Sequence, residues 1–419
     1  MLTPFNNPIP APTPGQEQAL RALTFDADAP GPILHDFETL LDYIGEAGVA
    51  VSAREHRLKP QAVLALNERF SHPLPDLFKR PQQKSYPYVH GLYLVLRASG
   101  LSYTVQQGRT HHLRLDEAAM QSWDTLNPTE QYFTLFFAWL LRADEESIMG
   151  SGHRSPFTNL NRCHQFLNRM RGDALALPSY KEQEDLRYYP GFYNLALMDL
   201  FGLVSLEEGE PETGKGWRVA RVQRRPFALP LLNFLTRLQL ERFQSDDFWL
   251  DEDPTLKIED VQEWFQLYFP AWRRTLAVPG VAFAPGLHVF KVSLGKVWRR
   301  MALPATLPLD DLAFIILGAF DFEDWEHLYQ FTYQDAFGQV QHINHEYAEE
   351  PPFTKDVRIG DLPIRPGGRL TFVFDFGDWW EFDLVLERID PDDPETTEPV
   401  LMETHGNAPS QYPDYDDYE

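Results

Sequence analysis

Hydrophobic and polar positions alternate most cleanly late in the chain. Residues 369–389 read RLTFVFDFGDWWEFDLVLERI, in which Leu370, Phe372 and Phe374 alternate with Thr371, Val373 and Asp375. Beyond Gly377 and Asp378, Trp380, Phe382, Leu384 and Leu386 alternate with Glu381, Asp383, Val385 and Glu387. A period of two in aromatic and β-branched residues predicts two half-buried strands, joined over 376–379 by a tight turn or a bulge. Four carboxylates, Asp375, Asp378, Glu381 and Asp383, crowd this hairpin. Further strands are predicted over 286–294, 297–304, 327–333 and 339–345. A helix over 308–320 carries Asp310 and Asp311 in its first turn, where the helix dipole favours them. Helices against a mainly antiparallel sheet make this region α+β.

Before residue 286 the period lengthens. Apolar residues recur at helical spacing over 37–48, 59–70, 88–101, 116–123 and 128–141, with Pro60 opening the second helix and Gly48 and Gly100 ending the first and third. Strands over 101–105 and 111–115 flank a hairpin turn at Gln106, Gln107, Gly108 and Arg109. The pattern then returns as a helix over 191–203, strands over 203–208 and 216–222, and a helix over 226–240. Tyr86, Pro87, Gly100 and Leu101 align with Tyr189, Pro190, Gly202 and Leu203 with a one-residue slip. A helix, a Gly-Leu stop, a two-stranded wing and a further helix, twice over, predict two winged-helix-like units. The expected organisation is an N-terminal extension (1–35), winged-helix-like units (36–145 and 146–245), an acidic helical linker (246–285), a domain over 286–390 and an acidic tail (391–419). The predicted fold class is α+β, with a mainly helical N-terminal half and a C-terminal, mainly antiparallel sheet packed with helices.

Composition narrows the partners. The 419 residues are 43% hydrophobic and 14% aromatic, enough for several cores. The net charge is −25, and ten Asp or Glu with no Lys or Arg after Ile389 supply −10 of it. An acidic surface disfavours non-specific nucleic-acid binding, whose affinity comes from neutralising phosphates, so a protein partner is the better expectation. One cysteine, Cys163, allows no disulfide within the chain. The opening MLTPFNNPIPAPTPGQEQ lacks the basic and apolar regions of a secretory signal, and apolar runs such as 312–320 are too short to span a bilayer. A cytoplasmic protein with no membrane partner is expected.

The order VWRRMALPATLPLDDLAFIILGAFDF, HLYQF, IGDL and FDFGDWWEFDLVLERI resembles the plasmid pRiA4b Orf-3-like domain family over residues 286–390. The resemblance implies an α+β fold and a prokaryotic protein, in a family often found beside mobile elements, and implies no particular activity. The family's positions fall here on Trp298, Arg299 and Arg300, on His327 and Phe331, and on Asp375, Gly377, Asp378, Trp380 and Glu381. Many relatives have a further His where this chain has Phe382. Many also end in a Cys- and Gly-containing PPED segment, where this chain reads HGNAPSQYPDYDDYE. Both departures speak against a metal site built on the family pattern.

His327, Asp375, Asp378 and Glu381 are the sharpest catalytic candidates. If they converge, they suit a Mg²⁺ or Mn²⁺ site, or a general acid/base pair, acting on phosphate esters. The ordinary reading is favoured: Asp378 caps the turn, Arg299 or Arg300 pairs with the carboxylates, and His327 is hydrogen-bonded in the sheet. The DFG triplet at 375–377 lacks every other kinase element. Trp298, Trp325, Trp379 and Trp380 form either packed core or a stacking surface. Neither His153, Cys163 and His164 nor His342 and His345 match a zinc pattern. Arg218, Arg221, Arg224 and Arg225 on the second wing could touch phosphates, although Glu207, Glu208, Glu210 and Glu212 favour a balanced, solvated face. The candidate binding residues are therefore Trp298, Arg299, Arg300, Trp380, Arg221, Arg224 and Arg225. No cofactor is expected outside the enzymatic reading. The tail, with Tyr412, Tyr415 and Tyr418, reads as a disordered solubilising segment, a docking peptide or a DNA mimic. Together these features point to a non-catalytic protein- or DNA-interaction protein, with a metal-assisted enzyme acting on phosphate esters as the alternative.

Overall fold

The computed structural model describes residues 12–75, 78, 80–149, 158–244, 258–278, 282–348, 350–390 and 398–412. Residues 246–257 and 279–281 of the predicted acidic linker, His153, Tyr415 and Tyr418 lie outside the described residues. The chain divides into two compact units. One comprises Met1–Tyr103 and Arg114–Val278, the other Thr104–Leu113 and Pro279–Glu419. The fold class is α+β.

Up to residue 115, helix α1 (Pro14–Arg21) precedes α2 (Ile33–Ile44), β1 (Val49–Val51), α3 (Pro60–Asn67), α4 (Pro87–Ser99) and the hairpin β2 (Ser102–Gln107) and β3 (Thr110–Leu115), of which Thr104–Leu113 counts with the second unit. Helices α5 (Glu117–Trp123), α6 (Pro128–Phe137) and α7 (Glu145–Ile148) follow. Then the order recurs as α8 (Asn159–Arg169), β4 (Ala174–Ala176), α9 (Tyr180–Gln183), α10 (Phe192–Leu200), β5 (Val204–Glu208) and β6 (Val219–Arg224), with α11 (Ala228–Gln244) and α12 (Ile258–Phe265) closing. Each pass builds a three-stranded sheet in the same order, β1-β3-β2 and β4-β6-β5. The hairpins lie where the sequence predicts them, whereas β1 and β4, at three residues each, are too short for a period to show.

The two third helices, α4 and α10, pack on each other. Every residue of α4 is buried. The crossing is close at Gly91, where a Cβ would lie 2.8 Å from Leu197 Cγ. Beneath them, a π turn over Ala138–Arg142 leaves backbone carbonyls that Asn159 Nδ2 satisfies, at 3.0 Å from Trp139 O and 2.8 Å from Ala143 O. Asn194 Oδ1 in turn accepts from Trp139 Nε1 at 2.8 Å. This polar network is buried and closed, which favours one arrangement of the core.

A second network fixes a proton. Gln83 Oε1 accepts from Leu58 N at 2.8 Å, which turns its NH₂ toward His90 Nδ1, 3.0 Å away. His90 Nδ1 is therefore the acceptor, and the ring's proton sits on Nε2, 3.2 Å from Glu145 Oε1. Burial lowers the pKa of His90. Burial also pushes Glu145 up, but the hydrogen bond and charge of His90, together with Lys84, outweigh it and hold Glu145 at about 2.

In the second unit seven antiparallel strands run in the order β10-β9-β11-β12-β7-β8-β13. They are β7 (Leu287–Leu294), β8 (Val297–Pro304), β9 (Tyr329–Gln334), β10 (Val340–Asn344), β11 (Arg369–Phe374), β12 (Trp380–Asp390) and β13 (Val400–His405). Helix α13 (Leu309–Ala319) covers one face, where Phe290, Ile316, Phe372, Phe382 and Leu384 are fully buried. Each such side chain contributes roughly 1.5–3 kcal/mol by leaving water. The opposite face carries Glu381, Asp383 and Glu387, as the period predicts. Strand β13 corrects the expectation of a disordered tail: residues 400–405 pair with β8 and form one edge of the sheet.

Candidate functional site

Strands β11 and β12 pair with Phe374 opposite Trp380 and Val373 opposite Glu381. The five residues between them turn on Asp375. Its Oδ1 accepts from Gly377 N at 2.9 Å, and its carbonyl accepts from Trp379 N at 2.6 Å. Its own N–H donates to Leu328 O at 3.0 Å. Asp375, rather than Asp378, thus caps the turn, because its short side chain reaches the backbone two residues on. Two non-glycine residues hold left-handed backbone here, Asp375 (φ 53°) and Trp379 (φ 57°). Aspartate tolerates that region, whereas a bulky tryptophan is strained in it.

His327 sits just before β9. Its Nδ1 is 3.5 Å from Asp375 Oδ2, and its Nε2 is 3.4 Å from Asp324 Oδ2 and 3.1 Å from the Tyr412 hydroxyl. Its ring meets Phe374 edge-on at 5.8 Å. The Tyr412 hydroxyl donates to Asp324 Oδ2 at 3.1 Å. Partial desolvation, Asp324, Asp375 and Asp378 push that hydroxyl up to about 12. The Glu326 N–H, the Tyr412 hydroxyl and His327 hold Asp324 below the ordinary carboxylate range. His327 and Asp375 therefore come together, but with Asp324 and Tyr412 rather than with the rest of the predicted quartet. The side chains of Asp378 and Glu381 are exposed and, among the described residues, make no hydrogen bond or ion pair. Among the described residues, no group of three or more His, Cys, Asp or Glu is placed to hold a metal ion.

The two arginines of the WRR strand point to opposite faces and neither reaches Asp375, Asp378 or Glu381. Arg299 is buried, with Nε on Ala319 O at 2.8 Å and Nη1 on the carbonyls of Trp298, His405 and Gly406 at 3.0, 3.2 and 3.2 Å. Its guanidinium lies 4.8 Å from the centre of the Phe320 ring. It ties the C-terminus of α13 to β13, where carbonyls lacking helix partners attract a cation. Arg300 chelates Glu387, with Nε–Oε2 at 2.7 Å, and also pairs with Glu403. Asp383, the fourth hairpin carboxylate, pairs with Arg369.

Trp298 stacks on His405 at 5.3 Å, with Lys291 and Arg300 over its ring at 4.7 and 5.2 Å. Trp380 packs edge-on against Phe322 at 5.1 Å, as core rather than surface. Trp379 and Phe376 are the exposed pair, with ring centres 6.1 Å apart.

On the second wing, Arg218 is buried against Gln183 and backbone carbonyls, and Arg224 holds Leu167 O and Asp173. Arg221 and Arg225 are exposed, Arg221 at 3.9 Å from Glu207. Cys163 is buried, His164 bonds Asn233 at 2.7 Å, and His345 packs on Tyr329. Asp324 carries no motif in the sequence, and Tyr412 lies in the stretch expected to be a solubilising segment, a docking peptide or a DNA mimic. The run Val400, Leu401, Met402 between Pro399 and Gly406 was the signal for the strand that brings Tyr412 in.

Residues 288–414 match the model of the plasmid pRiA4b ORF-3-like protein family. Uncharacterized protein y4hQ of Sinorhizobium fredii (strain NBRC 101917 / NGR234) is 29% identical over 117 residues, which are 27% of this chain and 58% of that relative. The chain thus spans a little over half the length of that relative. A crystallised protein of unknown function, MM3350 from Methanosarcina mazei Go1, aligns at 24% identity over 30% of this chain and 74% of its own, with a TM-score of 0.28, too low to bear on the architecture. No helix among the described residues is long and apolar enough to cross a membrane. The region that carries the WRR strand, His327, the Asp375 turn and the strand after it, residues 288–414, is thus similar to the plasmid pRiA4b ORF-3-like protein family.

Proposed function

We propose that the chain is a non-catalytic, cytoplasmic protein-interaction protein. The observation that carries this reading is the β11–β12 turn, which holds Phe376 and Trp379 45% and 58% exposed on a backbone strained at Trp379. Strain of this kind costs of order 1–3 kcal/mol and persists where the surroundings impose it, often at binding sites. The helix–strand–helix–helix–hairpin order, repeated over residues 33–115 and 159–224, supports two winged-helix units. In helix-turn-helix folds the recognition helix enters the major groove. The corresponding helices here, α4 and α10, are packed on each other, and the wing arginines Arg218 and Arg224 are already engaged, so a protein partner is favoured over DNA.

The test is photocrosslinking from position 379 in cells, with Lys296 in the exposed β7–β8 turn as control. A discrete adduct at 379 and none at 296 is expected. No adduct at 379 sinks the interaction reading. A Mg²⁺- or Mn²⁺-dependent hydrolysis of phosphate esters by the full chain, abolished by Glu381→Gln, overturns its non-catalytic part.

A further inference from the structure

The exposed apolar side chains around the β11–β12 turn share an acidic setting. Phe376, Trp379, Leu328 and Tyr412 are 41–58% exposed. They are linked through Asp375, which bonds Leu328 O and Trp379 N, faces His327, and acts with Asp324 and Asp378 on Tyr412. The two segments that build this surface, 321–330 and 375–383, contain eight Asp or Glu and no Lys or Arg. Of these carboxylates, Asp383 alone has an arginine partner among the described residues. The nearby arginines are committed elsewhere, Arg299 to carbonyls and Arg300 to Glu387 and Glu403.

From this charge complementarity we infer that this end of the sheet docks a Lys- or Arg-rich segment of a partner protein, with basic side chains over the Trp379 and Phe376 rings and their charges met by Asp324 and Asp378. Aromatic faces attract cations, the Trp indole most of all, and a rim of carboxylates without Lys or Arg partners attracts the same groups. Other occupants fit worse. A second copy brings another −25 of net charge, and the residues after Tyr412, PDYDDYE, are acidic and would be repelled. This inference rests on the interaction reading and adds to it the chemistry of the partner.

The experiment titrates full-length protein into fluorescein-labelled oligoarginine, oligolysine and oligoglutamate peptides and follows anisotropy. Saturable binding of the basic peptides is expected, weakened about tenfold by Trp379→Ser and by Asp324→Asn with Asp378→Asn, and weakened by added KCl. Trp379→Ser changes no charge, so its effect separates docking from bulk attraction to an acidic protein. Phe376→Ser is the second aromatic variant, and Glu210→Gln with Glu212→Gln, on the second wing, is the charge control and should bind like the parent. Basic peptides that bind Trp379→Ser and Phe376→Ser as tightly as the parent overturn the proposal. So does binding lost equally in the wing control, or a dimer in sedimentation that Trp379→Ser abolishes. An adduct at position 379 without basic-peptide binding overturns the basic partner and leaves the interaction reading standing, whereas absence of both removes the two together.

Discussion

The crossing of α4 and α10 makes a prediction whose sign can be worked out. Gly91 is the only residue type that fits there, since a Cβ would meet Leu197 Cγ at 2.8 Å and both Leu197 methyls at 3.2 Å. Leu197 is fully buried and cannot swing into solvent. Gly91→Ala therefore overpacks the crossing, at a cost of about 1–3 kcal/mol. Against this, alanine is better than glycine inside a helix by about 1 kcal/mol, so the net loss is about 1 kcal/mol. Leu197→Ala alone leaves a cavity and costs about 2–5 kcal/mol. It also removes the three atoms that the new methyl would strike. In the double variant the clash is gone, the helix gain remains and the cavity is partly filled. The double variant should thus be about 1 kcal/mol more stable than Leu197→Ala, which makes the coupling about 2 kcal/mol. Urea unfolding followed by far-UV circular dichroism reads the effect. Amide exchange in α4 and α10 assigns it to this unit, because a chain of two units need not unfold in one step. Additive single and double variants, or a Gly91→Ala that stabilises by itself, would refute the face-to-face packing of these helices.

Three further outcomes follow from contacts described above. Glu145 and His90 both have folded pKa values below their unfolded ones, so their contribution is complete above about pH 6.5 and is lost on acidification. The share of Glu145 disappears between about pH 4.5 and 2 and is on the order of 3 kcal/mol; Glu145→Gln should flatten the urea midpoint against pH in that window, and an unchanged slope would contradict the pairing. Arg299→Ala should lower stability by about 2–4 kcal/mol through lost charge-assisted hydrogen bonds, and Arg299→Lys should not restore it, since an ammonium cannot span the carbonyls of Ala319, His405 and Gly406; faster amide exchange in β13 is the readout, and full rescue by lysine would rule out the fork geometry. Trp379→Asn should raise thermal stability by about 1 kcal/mol, because asparagine accepts left-handed backbone and the exposed indole adds little packing; a clear loss would make Trp379 a structural residue.

The second unit was legible in the sequence wherever one face of a strand is buried. Phe372, Phe374, Phe382 and Leu384 alternate with polar neighbours because the sheet has a wet face and a helix-covered face, and β8 appears over the residues predicted for it, 297–304. The edge strand β13 broke that logic: all six of its residues are exposed, so no alternation marks it. The same omission hid Tyr412, which depends on β13 for its position beside Asp324. At the candidate site, the proximity of His327 and Asp375 was foreseeable once β9 pairs with β11. The fate of the two arginines was not. Adjacent residues on a strand point to opposite faces, and only the partners on each face decide between a carbonyl cluster and a carboxylate. In the first unit the repeated Tyr-Pro and Gly-Leu signals were visible, but α4 is buried on every side, His90 and Arg97 included, and only the structure identifies α10 as part of what covers it.

That pairing has a consequence for how the first unit responds to dilution. Two like halves that bury their third helices against each other would, on separate chains, form a dimer with a dissociation constant, and would come apart at low abundance. Joined in one polypeptide, the second half is always present at the effective concentration set by the connection between them, so the interface carries no mass-action term. The stability of the first unit should accordingly be the same at nanomolar as at micromolar protein.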